Sequence, residues 1–167
     1  LSDPANPRYA EHRGDYTQNV GSVGKIIVAL GLFQALADTW HNTNGRYAVL
    51  KNTIVTADDF SVSDHHKLRI FNVEDSKLTR SVMKVGLQAN LWQYLDWMLS
   101  VSSNAAAAMV QREAMLIRKF GQGYPPSDAD RIAYFKDTPR KELQADFVAT
   151  FYEPLTRNGF NLEEIRQ

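Results

Sequence analysis

Ser22 and Lys25 stand three residues apart in "NVGSVGKIIVALGLFQAL", residues 19–36, at the head of a long apolar run. Three residues is just under one helical turn, so both side chains project from one face within reach of each other. The amino end of a helix and burial both disfavour a charged ammonium. A lysine held neutral there takes the proton of an adjacent hydroxyl, and the serine oxygen then attacks a carbonyl carbon. Backbone N–H groups at the same helix end face the oxyanion that results. The competing reading is a helix-capping serine beside a lysine whose stem lies on apolar surface and whose amine reaches water.

Spacing alone does not decide between them, because Ser81-Val82-Met83-Lys84 repeats it. Context separates the two. Ser22 follows Gly21 and opens an apolar helix, whereas Ser81 lies in a basic stretch with no helix start. A second element is Ser102-Ser103-Asn104 in "MLSVSSNAAAAMV", the only Ser-x-Asn of the chain. As local structure it is the N-cap of an alanine-rich helix. As chemistry, a turn between two helices presents a hydroxyl and an amide to a cleft, and Ala105 to Ala108 permit close packing beside it.

The elements that must position these groups are helical. Val23, Ile26, Ile27, Leu30, Phe33, Ala37 and Trp40 recur at helical spacing. "HNTNG" ends that run, and a shorter helix is expected over residues 46–54. Residues 56–77 read as a long polar surface loop. Asn90 and Gln93 form a capping-box pattern ahead of Leu91, Tyr94, Leu95 and Met98. The alanine-rich helix spans residues 104–120 and closes at Gly121. Ser127 caps the next helix, and Thr138-Pro139 starts another that runs to Asn158-Gly159. Asn161 and Glu164 look like one more capped start. Strand alternation is nearly absent, so the expected class is mainly α.

With 167 residues the chain is one domain by size, and 19 basic residues balance 19 acidic ones. That balance gives no electrostatic case for nucleic acid or an anionic membrane surface. The longest apolar stretch, residues 26–33, is short of the ~20 residues of a membrane span. No signal peptide is visible, though the chain begins at Leu1. The absence of cysteine excludes disulfides, thiolate metal sites and a cysteine nucleophile.

Together, "GSVGK" and "SVSSNAAAA", in this order and on these elements, resemble the penicillin-recognising serine hydrolases, class A β-lactamases most closely, with penicillin-binding proteins and related esterases. "NTIVTADDFSVSD" and "ANLWQYLDWMLSVSSNAAAAMV" are similar to the stretches leading to and through that family's S-D-N loop. The likeness covers roughly residues 15–120. It implies that Ser22 is the acyl-accepting nucleophile and Lys25 its general base or proton partner. Ser102 is then the relay to the leaving group, Asn104 the holder of the substrate's amide carbonyl, and the Ser22 N–H half of an oxyanion hole. The implied substrate is a small molecule or peptide, namely a β-lactam, a D-alanyl peptide or an ester. No cofactor or metal is implied, and the implied location is periplasmic or extracellular.

Three departures are visible. Ser103 stands where class A has aspartate, which weakens the β-lactamase reading more than the hydrolase reading. The K-[ST]-G strand motif is missing, since Lys84-Val85-Gly86 and Lys119-Phe120-Gly121 have the wrong centres. Residues 1–167 are therefore expected to be one helical subdomain, an interior piece of a larger α/β catalytic domain whose antiparallel sheet lies largely elsewhere in its polypeptide. Such a piece is expected to be inactive alone. Finally, Glu153 in "YEPLTRN" has the wrong register for the family's deacylating glutamate, and a solvated helix residue is the preferred reading.

Other residues rank lower. "DDFSVSDHH" gathers Asp58, Asp59, Asp64, His65 and His66, but adjacent histidines on a loop are not the i, i+4 pair of zinc hydrolases, and a solvated loop is expected. Trp92, Tyr94 and Trp97 read as packing, and Arg112, Arg118, Lys119 and Arg131 as a scattered solvated face. Two alternatives to an acyl-enzyme hydrolase follow. One is a non-catalytic helical module that keeps the fold to bind cell-wall peptides or another protein. The other is an unrelated all-α interaction domain in which both motifs are helix caps.

Overall fold

The computed structural model describes residue 19 and residues 21–61 and 64–161. It is mainly helical. A 3-10 turn (Gly21–Gly24) leads into α1 (Lys25–Thr39), and α2 (Thr43–Asn52) follows. Four short strands come next: β1 (Ile54–Thr56), β2 (Leu68–Asn72), β3 (Lys77–Ser81) and β4 (Gln88–Asn90). The remainder is α3 (Leu91–Ser100), α4 (Asn104–Phe120), α5 (Asp128–Asp137), α6 (Arg140–Phe151) and α7 (Glu153–Arg157), with a 3-10 turn (Gly121–Gly123) behind α4.

The centre is α4 against α1 and α3. Leu32 and Leu36 of α1, Tyr94 and Met98 of α3, and Ala106, Met109, Val110 and Ile117 of α4 are all buried in one core. Small residues permit this closeness. At Gly31 an added Cβ would stand 2.5 Å from the Phe151 ring and 2.7 Å from the Thr150 carbonyl oxygen, so α6 crosses α1 where no side chain fits. From Gly21 to Thr39, 19 helical residues are long and apolar enough to cross a membrane by length and composition. This revises the expectation from residues 26–33 alone, because Gln34 and Asp38 sit within the helix rather than ending it. In this fold one side of that helix, with Val28, Leu32 and Leu36, packs in the core, while Val23, Ile26 and Phe33 on it are exposed.

Much of the helical punctuation operates as expected. Asn90 and Gln93 make both halves of the capping box, with backbone-to-side-chain distances of 2.9 and 3.0 Å. Ser127 accepts from the Asp130 N–H at 3.1 Å, and α4 occupies residues 104–120 with Gly121 behind it at φ 54°. The second helix starts earlier than expected, because the Asn42 side chain accepts from the Gly45 N–H at 2.6 Å. The expected single helix over 139–158 is two. Pro139 is the N-cap residue of α6, and Pro154, which has no N–H to give, sits in the first turn of the separate α7. The start expected at Asn161–Glu164 extends outside the described residues.

The largest correction concerns the loop expected over residues 56–77. There β2 and β3 form an antiparallel hairpin with Ile70 opposite Thr79, and β1 pairs with β4 to make a second two-stranded sheet. Apart from Leu68, the hairpin has little buried side-chain surface. A strand pair held by its backbone ladder on an exposed surface needs no alternating apolar face, so periodicity does not reveal it.

The basic residues are not all a solvated face either. Arg112 is 3% exposed and lies 2.6 Å from a Glu113 carboxylate oxygen and 2.5 Å from Asp58. Asp58 also meets Arg131 at 2.5 Å, and the Tyr124 hydroxyl donates to Glu113 at 2.6 Å. Burial and the neighbouring Glu113 push the Tyr124 phenol well above its usual range. Trp97 and Tyr94 pack in the core as expected, while Trp92 lies at the rim against Tyr47, under the Lys51 amine.

Candidate active site

The two motifs meet. Lys25, the first residue of α1, is 9% exposed, and its Nζ donates to the Ser22 hydroxyl at 3.0 Å. From 77 and 79 residues away it also reaches the Ser102 hydroxyl at 3.3 Å and Asn104 Oδ1 at 2.8 Å. An ammonium has three donors, and three oxygens of uncharged groups receive them. Among the described residues no carboxylate pairs with this amine.

Local structure explains how each group arrives. Gly21 takes φ 52°, a left-handed value cheap for glycine, and its N–H is held by the Asn19 side chain at 2.8 Å. The 3-10 turn that follows puts Ser22 one tight turn ahead of Lys25, and Ser22 itself is exposed. Ser22 does not cap α1, whose N-cap position is Gly24 with no side-chain bond.

The other half is set by Ser103. This residue is fully buried, its hydroxyl accepts from the Ala106 N–H at 3.1 Å, and it is the N-cap of α4. Because the middle residue does the capping, Ser102 and Asn104 on either side are released to turn towards Lys25. Ser102 itself has φ 60°, uncommon for a residue with a Cβ and typically worth about 1–3 kcal/mol of backbone strain. That turn lets the Ser103 N–H reach back to the Trp97 carbonyl at 3.1 Å and close the end of α3. Glycine would satisfy the backbone there with less strain. Serine places a hydroxyl 3.3 Å from the amine. The cap reading thus holds for the second motif only through Ser103: neither Ser22 nor Ser102 nor Asn104 provides the side-chain cap of its helix.

The second Ser-x-x-Lys behaves differently. Ser81 is the last residue of β3, opposite Leu68, and the chain to Lys84 is not helical. Glu153 donates nothing to the site: it is exposed and pairs with Arg118 at 3.0 Å. Arg118 follows Asn104 by 14 residues on one helix, roughly 21 Å at 1.5 Å per residue.

The Asp64 region is more ordered than a solvated loop. Ligand atoms of Asp64, His65 and His66 lie within 4.8 Å of one another, the spacing of a possible metal site. The Asp64 oxygens are already engaged, however. Oδ1 accepts from the His66 N–H at 3.1 Å and meets His66 Nδ1 at 2.5 Å. Oδ2 accepts from the Ser103 hydroxyl at 2.8 Å and the Ala105 N–H at 3.1 Å. Burial raises the Asp64 pKa, but these hydrogen bonds outweigh it and hold the carboxyl far below its ordinary range. A carboxylate has about four lone-pair sites, and the protein fills them.

The quartet lies open at the surface, with Ser22 and Asn104 exposed and Ser102 half-buried. Cavities of about 460 and 580 Å³ are lined instead by groups such as Asp58, Arg131 and Phe135, and Met115, Leu143 and Phe147. Compared with protein-family models, curated proteins and solved structures, the chain matches none.

Proposed function

We propose that this chain carries the acyl-enzyme machinery of a penicillin-recognising serine hydrolase, with Ser22 as nucleophile. One observation carries the reading: a buried amine with no acidic partner among the described residues touches two hydroxyls and a carboxamide oxygen. A lysine kept only for the fold gains most from a carboxylate, whereas one surrounded by neutral oxygens is placed to exchange protons.

The steps follow from the contacts. Lys25, once it has given up one proton, accepts the Ser22 hydroxyl hydrogen across the 3.0 Å contact. Ser22 Oγ bonds to the carbonyl carbon of a lactam or D-alanyl amide, and the C–N bond breaks. The proton passes from Lys25 through the Ser102 hydroxyl to the departing nitrogen, so the pair returns to its starting charge. For an ester the same proton goes to the leaving alcohol oxygen. Asn104 presents its amide to the carbonyl group beside the scissile bond, and the Ser22 N–H faces the oxyanion.

The same reading makes this chain the helical part of a larger α/β catalytic domain. Three features support it. The quartet is open on one side, and exposed Val23 of the 3-10 turn continues with exposed Ile26 and Phe33 of α1 at helical spacing along an uncovered face. Among the described residues each of the two small sheets has only two strands. A further sheet from the same polypeptide would cover that stripe and close the site.

The test is covalent labelling of the intact polypeptide with a fluorescent penicillin and with a fluorophosphonate. The expected result is one adduct on Ser22, lost in Ser22→Ala. Labelling that survives the substitution overturns the assignment, and a protein that takes neither probe leaves the non-catalytic binding module as the surviving reading.

A further inference from the structure

Asp64 is separated from the Ser102–Asn104 turn by about forty residues, yet its carboxylate touches the turn twice. Oδ2 receives the Ser103 hydroxyl at 2.8 Å and the Ala105 N–H at 3.1 Å, so one oxygen bridges the N-cap residue of α4 and the second residue of the helix. Between those two anchors lies Asn104, and immediately before them Ser102. The carboxylate is 2% exposed and is fixed on its other side, where Oδ1 receives the backbone N–H and meets the ring of His66. The segment carrying it is fixed in turn. Leu68 is fully buried, and the Trp97 indole donates to the Arg69 carbonyl at 3.0 Å, tying the start of β2 to α3. This is a continuous set of bonds from the hairpin and α3 to the turn that faces Lys25.

The turn needs such support. Ser102 is held at φ 60°, where a residue with a Cβ is strained. The Ser103 cap and the Trp97 carbonyl fix the backbone on one side only. Without Asp64, the Ser103 hydroxyl and the Ala105 N–H would each lose an acceptor where little water reaches, and the turn could relax to a less strained conformation. Either change moves Ser102 Oγ and Asn104 Oδ1, which sit 3.3 and 2.8 Å from the amine.

We propose that Asp64 is a positioning residue for the site: by clamping Ser103 and Ala105 it holds the Ser102 hydroxyl and the Asn104 amide in register with Lys25. The role rests on the acyl-enzyme reading above. Asp64 acts through Ser103 and Ala105, and its effect should fall on the steps that use Ser102 and Asn104 rather than on the Ser22–Lys25 pair, whose 3.0 Å contact lies within one turn of chain. Those steps can be separated chemically. Opening a β-lactam breaks a C–N bond and must deliver a proton to nitrogen, which calls on Ser102. A fluorophosphonate forms an O–P bond and releases fluoride, which needs no proton, so the Ser22 hydrogen can stay on Lys25.

The experiment compares acylation rates for both probes on the intact polypeptide, unsubstituted, as Asp64→Asn and as Ser103→Ala. Asp64→Asn keeps the shape but turns an amide N–H towards groups that already donate. The expected result is a loss of roughly 10- to 100-fold in the fluorescent-penicillin rate, the usual scale for a small misplacement of reacting groups. The fluorophosphonate rate should change less than about 3-fold. Hydrogen exchange in the segment 101–107 should quicken by a similar factor to the penicillin loss while the α1 segment stays protected. Equal losses for both probes, or unchanged exchange in 101–107, overturn the positioning role while the enzyme reading stands. If Asp64→Asn fails to fold, Ser103→Ala decides by the same ratio of rates. An unsubstituted protein that takes neither probe overturns the enzyme reading and this role together.

Discussion

Two cations are buried near α4, and their surroundings differ. At the amino end, Lys25 meets the hydroxyls of Ser22 and Ser102 and the Asn104 carboxamide. Two to three turns further on, Arg112 meets the carboxylates of Asp58 and Glu113, with Arg131 and Tyr124 completing the network. The second arrangement balances charge with charge: its parts hold β1's flank, α4 and α5 together. The first holds a proton-bearing group against neutral groups, two of them on exposed residues. A folded chain gains little from that arrangement compared with an ion pair or a methionine, which is the ground for the proton-transfer role proposed for the amine. Burial by itself does not mark a functional residue. The nature of the partners does.

Neutralising each cation with a side chain of similar length is the sharpest way to break this comparison. Lys25→Met should lower the rate of Ser22 acylation by roughly 10²- to 10⁴-fold, the range for losing a positioned general base. Its melting temperature should stay level or rise, because the three oxygens left behind include two on exposed residues that water can satisfy. A Lys25→Met protein that unfolds at much lower temperature while still acylating would make Lys25 a structural tie, on a par with Arg112.

Arg112→Met should do the reverse. It strips Glu113, 4% exposed, of its cation and leaves Asp58 with Arg131 alone. Breaking a buried pair by removing one partner typically costs about 3–5 kcal/mol. Denaturant unfolding measures the loss, and replacing Glu113 as well (Arg112→Met with Glu113→Gln) should recover part of it. Acylation per folded molecule should be unaffected, since no bond links Arg112 to the quartet.

The quartet was legible from sequence because each of its halves is a local pattern beside strong helix punctuation. Ser22 and Lys25 need only the glycines at 21 and 24 and the apolar run behind them, and Ser102 and Asn104 need only the break between two amphipathic helices. The partner of Asp64 was not legible. Its contacts lie 39 and 41 residues away, and no spacing rule connects them. Arg112 reads from sequence as part of a solvated face, yet a signal of its burial was there: apart from Gln111, Arg112 and Glu113, every residue from Ala105 to Ile117 is apolar, which leaves this stretch little polar surface to turn outward. The β2–β3 hairpin hides for the opposite reason, being mostly exposed, with Leu68 alone fully buried and Ile70 half-buried beside it.

The two regions should also part at high pH, with the smallest effect of those considered. Near Arg112 lie phenols that burial keeps protonated. Desolvation, helped by Glu113 and opposed by Arg112, pushes Tyr94 up to about 12, and Tyr124 is raised as well. For a group whose folded pKa exceeds its unfolded value of 10.0, the native state keeps its proton after the unfolded chain has lost its own. Nothing changes below pH 10, where both states are protonated, and stability then falls as pH rises towards 12. Each such tyrosine contributes a slope of up to about 1.4 kcal/mol per pH unit in that window. Tyr94→Phe removes one of them. It also loses the 2.9 Å bond to the Leu87 carbonyl, so it should start about 1 kcal/mol less stable at pH 7 and lose stability more slowly between pH 10 and 12. Denaturant midpoints across that range give the slope directly. Parallel curves for the two proteins would mean that the Tyr94 phenol ionises as readily in the fold as out of it, and that this side of α4 is wetter than the ion-pair network implies.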